Sequence, residues 1–378
     1  MEQKHSSQST LKGLYADGKK VPTLVRETTS TRVAVVGKRG KAARRVVKTT
    51  GNKLRIQDHY PIISEPGSEY VTHVTPKSGT GRDLSLELEA VVREREQLPD
   101  VAGMDGCSTN TGIHNGCIRL LEINLNRTLQ WSICGLHLTE LLFWHVLSDV
   151  DGVTSGPEKL KGPIGSTLHT AVWEEPVVAF KPVTGKVTAL PDDVIKDLSR
   201  DQKLGYLYCM AVQTGIMPDE LPSQVIGPMV TSRWNTTATR LLCKYTRTQW
   251  PTKKMTRLVE MVLMLYYPGW FQFKSHPHIQ DGAKNCFYLV ELSRDLHPVD
   301  MNIAQSVLSH NSYWAHPENI TIGMLSDERE ELRHRAVLWI QKARQEFNPE
   351  THPRQFVPPS VNFQVVARGA VLSPNIYF

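Results

Sequence analysis

Apolar positions along the chain follow two different spacings, and the change falls near residue 117. Before it the pattern is short and strand-like. Leu11–Ala16 is a brief apolar run ending at Asp17-Gly18, a turn signal. His59–Ser64 and Tyr70–Thr75 are rich in β-branched and aromatic residues and are separated by Glu65-Pro66-Gly67, which predicts a hairpin. Thr80-Gly81-Arg82-Asp83 has the spacing of a helix cap, and behind it Leu84, Leu88, Val91 and Val92 fall on one helical face. Val101–Met104 then predicts a buried strand ending at Asp105-Gly106. The expected order is strand, strand, strand, helix, strand, with an aspartate after the first strand and after the last.

Beyond residue 117 the period is helical. Ile118, Leu121 and Leu125 suit one helix, and Leu138, Leu141, Leu142 and Val146 another. Residues 151–200 are rich in Gly, Pro and Thr and predict a long connection. Residues 201–273 are mostly helical in pattern, with Leu258, Val262 and Leu265 on one face. The run Phe287–Ser293 fits a strand or the start of a helix equally well. Pro317 is tolerated at a first helical position and predicts a helix running through a charged stretch to about Phe347. The tail 348–378 is expected to be peripheral.

Composition narrows the class. The chain has 378 residues, 40% hydrophobic and 22% charged, as an ordinary globular protein does. Its longest strongly apolar run, Leu258 to Tyr267, contains Glu260 and has about half the length that a membrane-spanning helix needs. The N-terminus lacks the apolar core of a secretory signal. Six widely spread cysteines fit reduced thiols in a nuclear or cytoplasmic setting better than a disulfide framework. No membrane association is expected.

Charge is uneven. Residues 1–60 carry 14 Lys and Arg against 4 Asp and Glu, and the remainder carries 30 against 34. The excess is concentrated in residues 37–55, including Lys38, Arg39, Lys41, Arg44 and Arg45. Such a cluster attracts nucleic-acid phosphates by releasing counterions; a solvated basic loop or an import signal is the alternative.

Four groups of residues carry candidate chemistry. Asp17 and Asp105, each ending a predicted strand, offer hard oxygen ligands for a divalent cation, although Asp-Gly is also a common turn dipeptide. Cys134-Gly135-Leu136-His137 places two zinc-type ligands one helical turn apart, but two further ligands are needed. Cys107 and Cys117 lack the usual spacing, so packing is the expected role and no zinc is expected. His276, His278 and Asp281 read as a polar turn. Arg233-Trp234 can stack on nucleic acid, with a buried, structural tryptophan as the simpler reading.

The stretch MDGCSTNTGIHNGCIRLLEINLNRTLQWSICGLHLTELLFWHVL (104–147) resembles the region around the second catalytic aspartate of hAT-like transposases. There an Asp-Gly followed by a T-G…G pattern leads to C-x-x-H. Residues 231–237, with Arg233, Trp234 and Asn235, resemble the R-W-N-S/T motif of the helical insertion in that superfamily. YADGKKVPTLV (15–25), DHYPIISEPGSEYVTHVTPKSGT (58–80) and NSYWAHPENITIGMLSDE (311–328) are similar to transposon-derived proteins of invertebrates. The resemblance spans about residues 11–345.

The resemblance implies an α/β fold: an RNase H-like mixed sheet with flanking helices, interrupted by a large, mainly helical insertion. The implied divisions are 1–155 and 283–347 for the two parts of the core, 156–282 for the insertion and 348–378 for the tail. It assigns Asp17 to the first strand, Asp105 to the fourth, and a late glutamate, here Glu318, to a metal-dependent DNA-cleaving site using Mg²⁺ or Mn²⁺. The S-x-x-S-E-R-x-F-S signature around the third acid is absent. Glu328, Glu330 and Glu331 are the alternatives, in a stretch whose Arg329, Arg333 and Arg335 also suit a solvated, charge-paired face. With no zinc finger before the first strand, the expectation is a truncated or host-adopted catalytic region. DNA is the expected partner, with a possible homo-oligomer, and the nucleus the expected compartment, with the cytoplasm as the alternative. A catalytically silent, transposon-derived binding protein is the second expectation.

Overall fold

The computed structural model describes residues 11–36, 42–65, 67–112, 114–127, 129–229, 234–278, 281–310 and 322–346. Six strands, β1 (Gly13–Ala16), β2 (Lys19–Val36), β3 (Ala42–Glu65), β4 (Glu69–Val74), β5 (Val101–Met104) and β6 (Gln130–Ile133), form one sheet in the order β2-β3-β1-β5-β6, with β4 also paired to β3. β1, β2 and β4 are antiparallel to β3. Val101 N donates to Lys12 O at 3.2 Å, so β5 starts where β1 starts. Cys134 N donates to Met104 O at 2.8 Å, so β6 ends where β5 ends. β1, β5 and β6 therefore run in the same direction, and the fold is α/β with a mixed sheet.

Asp17-Gly18 does not turn the chain, contrary to the sequence expectation. Ala16 faces Ile62 and Lys19 faces His59, so three steps along one strand are matched by three along the other. β1 and β2 are thus one line of chain against β3. By the same register Asp17 faces Pro61, which has no N–H to pair. Gly18 faces Tyr60, whose ring leaves no room for a side chain there: a Cβ would lie 2.5 Å from Tyr60 Cε1. Local turn chemistry loses to the pairing available on β3. Beyond this point β2 and residues 42–59 of β3 pair without a shift as a two-stranded ribbon about 60 Å long, at ~3.3 Å per residue. A loop reading of residues 42–55 is therefore wrong; they are strand. The hairpin of β3 with β4 is where the sequence predicts it, with a register shift at Ile62/Ile63.

The chain forms two compact units: Met1–Ala102 with Cys107–Leu129, and Gly103–Gly106 with Gln130–Phe378. In the first, α1 (Gly81–Glu94) begins at Thr80, whose hydroxyl accepts from Asp83 N at 3.2 Å. Its buried Leu84, Leu88 and Val92 join Leu11, Leu14 and Ile62 of the sheet and Ile118 and Leu121 of α3 (Cys117–Leu125) in one core. The short helix α2 (Ser108–Thr111) precedes α3, and Gly81 fits where a Cβ would meet the Thr109 and Asn115 carbonyls at 2.5 Å. Arg119 and Glu122, both buried, form an ion pair at 3.1 Å, and Glu122 also accepts from Leu129 N at 2.9 Å. The pair is tolerable in the core because this further bond helps to offset its desolvation.

The second unit contains α4 (Gly135–Asp151), α5 (Asp192–Asp197), α6 (Arg200–Thr214), α7 (Asn235–Tyr245), α8 (Lys253–Met261), α9 (Tyr267–Ser275), α10 (Gly282–Ser293), α11 (Pro298–His310) and α12 (Glu330–Glu346). A π-helical turn, Val262–Tyr266, joins α8 to α9. Phe143, Tyr208, Tyr266 and Tyr267 are fully buried, and Tyr267 stacks on Phe271 with ring centroids 5.3 Å apart. The long connection is held by side chains rather than by regular structure. Asp151 accepts from Ile164 N (2.8 Å) and Gly165 N (2.6 Å). Arg240 donates to Leu168 O and Gly227 O, each at 2.7 Å, and its guanidinium lies 4.9 Å from the Trp173 ring centroid. Phe287–Ser293 is helical. The helix expected from Pro317 to Phe347 is interrupted: residues 325–329 are not helical, and Asp327 accepts from Arg329 N at 2.8 Å. Among the described residues no helix is long and apolar enough to cross a membrane.

Candidate functional site

Asp17 directly follows β1 and Asp105 directly follows β5, and these strands are sheet neighbours running in the same direction. The two carboxylate-bearing residues thus leave the sheet at the same end. Asp17 is exposed and Asp105 is half-buried. Glu318, the expected third acid, lies outside the described residues. Its alternatives Glu328, Glu330 and Glu331 are exposed. Arg329 does not pair along a helix face but turns back to Asp327 at 2.8 Å and reaches Glu291 of α10 at 3.6 Å. That partner holds the Asp327 carboxyl below its usual range, whereas burial pushes the Glu291 carboxyl up.

Around Asp105 the geometry is set by the junction of β6 with α4. The bond from Cys134 N to Met104 O seats the start of α4 beside the end of β5. His137, in the first turn of α4, lies against Gly106; a Cβ there would be 2.8 Å from His137 Cδ2. Burial lowers the His137 pKa from 6.5, and the charge of Asp105 partly opposes that shift. The imidazole is therefore neutral at pH 7 and places no positive charge beside Asp105. Cys134 is the residue before α4, with φ −55° and ψ 113°, so it and His137 do not share a helical face as their spacing implied. Cys117 is buried, and both burial and the neighbouring Cys107 push its thiol up, which leaves it protonated and a poor metal ligand.

Trp234 is buried, edge-on to Phe143 with centroids 5.9 Å apart, while Arg233 lies outside the described residues. A tryptophan enclosed in this way packs helices and offers no face to a base. His276 and His278 lie at the turn between α9 and α10, where His276 O accepts from Asn285 at 2.9 Å and Asp281 N bonds His278 O at 2.9 Å. A groove of about 990 Å³ lined by Phe180, Trp250, Met261 and Met264 contains none of the sequence-predicted residues. Among the described residues, no group of three or more His, Cys, Asp or Glu is arranged to hold a metal ion.

The basic segment is the other candidate. Lys38, Arg39 and Lys41 lie outside the described residues. Arg44 and Arg45 are in β3, in register with Ala34 and Val33 of β2. Nearer the sheet, directly opposed residues share a face, and the two faces differ. One carries Lys19, Lys53 and Arg55, all exposed. The other carries the opposed pairs Pro22–Ile56 and Leu24–Leu54, with Leu24 70% and Ile56 73% exposed. Lys19, Lys53 and Arg55 were not singled out by sequence reasoning. The β-branched stretch Thr28–Val36 is the signal from which a long strand, and hence their alternation, follows.

No protein-family model, curated protein or solved structure matches the chain.

Proposed function

We propose that the chain is a DNA strand-cleavage or strand-transfer domain of the RNase H-like, hAT-related kind, with Asp17 and Asp105 as two of its metal-holding carboxylates. The observation that carries this reading is the placement of both aspartates at the ends of neighbouring, co-directional strands. With β1 and β2 counted as one line of chain, β5 is the fourth strand, in keeping with the first-and-fourth assignment that the resemblance implies. Two carboxylates are hard oxygen donors suited to Mg²⁺ or Mn²⁺. Such ions, when bound, stabilise charge on the attacking and leaving oxygens at phosphorus. The chain's own contribution is to hold the carboxylates on strand ends, to keep His137 neutral beside Asp105, and to supply cations for the DNA backbone. Glu318 remains the proposed third acid, and the nucleus the proposed compartment.

A second reading, a catalytically silent DNA-binding protein, is favoured by the basic ribbon, whose charge needs no metal site to act. A thermal melt separates the two. Carboxylates brought together repel unless a cation lies between them, so Mn²⁺ should raise the melting temperature of the wild type and leave Asp105→Asn nearly unchanged. Equal shifts in both proteins would remove Asp105 from the site.

A further inference from the structure

We propose that the cationic face of the β2–β3 ribbon seats in the major groove of duplex DNA and brings the bound strand to Asp17. The inference rests on the reading of DNA as substrate. Within the paired segments 19–36 and 42–59 there are nine Lys and Arg but only Glu27 and Asp58 as acids. Near the sheet the charge is sorted by face: Lys19, Lys53 and Arg55 share one side, while Pro22, Leu24, Leu54 and Ile56 share the other. A solubilising surface gains nothing from such sorting, whereas a phosphate-binding surface requires it.

Shape selects the polyanion. A two-stranded ribbon is one of the elements that the roughly 12 Å-wide major groove of B-DNA admits. The A-form RNA major groove is deep, narrow and closed to side chains. The ribbon also begins at the candidate site, because β2 starts at Lys19 directly after Asp17-Gly18 and continues the line of β1. Phosphates held on Lys19 therefore lie next to the residue proposed to hold a metal. No base-reading group is invoked, so binding is independent of sequence.

The test is a salt series of binding measurements on the full chain with two unrelated 30-base-pair duplexes. Replacing Lys19, Lys53 and Arg55 together by Gln should make the slope of log K against log salt shallower by about 2.7, from ~0.9 per lost phosphate contact. The charge-keeping variant with Lys19→Arg, Lys53→Arg and Arg55→Lys should retain the wild-type slope, as should Leu24→Ser with Leu54→Ser on the opposite face. Duplex RNA of the same sequence should bind more weakly. An unchanged slope in the triple Gln variant with intact circular dichroism, or equal affinity for RNA, overturns the proposal. Ribbon-dependent binding without nicking by the wild type in Mn²⁺ would sink the strand-cleavage reading and leave this one standing. Nicking with a wild-type slope in the triple Gln variant would sink this one alone.

Discussion

The helical unit and the β2–β3 ribbon use the same residue types to opposite ends. Around α4, α7 and α9, large apolar side chains are enclosed: Phe143, Leu241 and Tyr267 have no exposure at all. Even the arginines there are structural, since Arg240 and Arg247 spend their donors on backbone carbonyls of the connecting segments. On the ribbon Leu24, Leu54 and Ile56 are 64–73% exposed, and the nearby lysines face solvent. Burial of an arginine marks a tie within the fold, and an exposed, face-sorted row of cations marks a surface built for a partner. A count of basic residues alone does not distinguish them.

The largest expected effect is in the helical core. Phe143 is edge-on to Trp234 and 5.1 Å from the Tyr266 ring, so Phe143→Ala should cost about 3–5 kcal/mol in urea unfolding. A loss below about 1 kcal/mol would mean that the enclosed core collapses readily around the gap, and the contrast with the ribbon would weaken.

His137 should give an intermediate effect with a definite sign. Burial disfavours its charged form, so the folded state binds its proton less readily than the unfolded state does. Its presence is neutral to stability well above the ordinary pKa of 6.5. It becomes destabilising as pH falls through that value, and the penalty levels off only below the depressed folded pKa. His137→Gln should flatten the decline in stability between about pH 7 and 5, and Asp105→Asn should depress the imidazole pKa further in an NMR titration. A higher His137 pKa in Asp105→Asn would show that the carboxylate does not act on the ring.

The smallest effect belongs to the ribbon's apolar face. Leu24→Ser should change stability by no more than about 0.5 kcal/mol, as expected for a side chain already in water. A loss of 2 kcal/mol or more, on the scale of about 1.5–3 for burying such a side chain, would show that this face is covered in solution, and the first thing to measure would then be the oligomeric state.

Much of the architecture can be read from residue order, and the failures have local causes. The Thr80 cap, the apolar face of α1 and the β3–β4 hairpin are sequence-local, and each is present. Asp17-Gly18 misleads because its turn preference is weaker than the pairing that β3 offers on both sides of it. β6 has four residues, too few for an alternation to show. Phe287–Ser293 resists assignment because α10 is buried nearly all round, with Cys286, Phe287, Leu289, Val290 and Leu292 all enclosed, so no polar stripe marks a helical period. At the candidate site, sequence reasoning found the two strand-end aspartates but misjudged Cys134 and His137, since an i, i+3 spacing shares a face only when both residues are helical.

The most direct measurement of the central claim is nicking of supercoiled duplex DNA in Mn²⁺ by the wild type and by Asp105→Asn, with DNA affinity measured on the same preparations. Asn keeps the volume of Asp and deletes the charge that a divalent cation needs. The expected result is metal-dependent nicking by the wild type, its loss in Asp105→Asn and in Asp17→Asn, and DNA affinity unchanged in both. Nicking that persists in Asp105→Asn, or a wild type that binds DNA but never cuts it, would contradict the account.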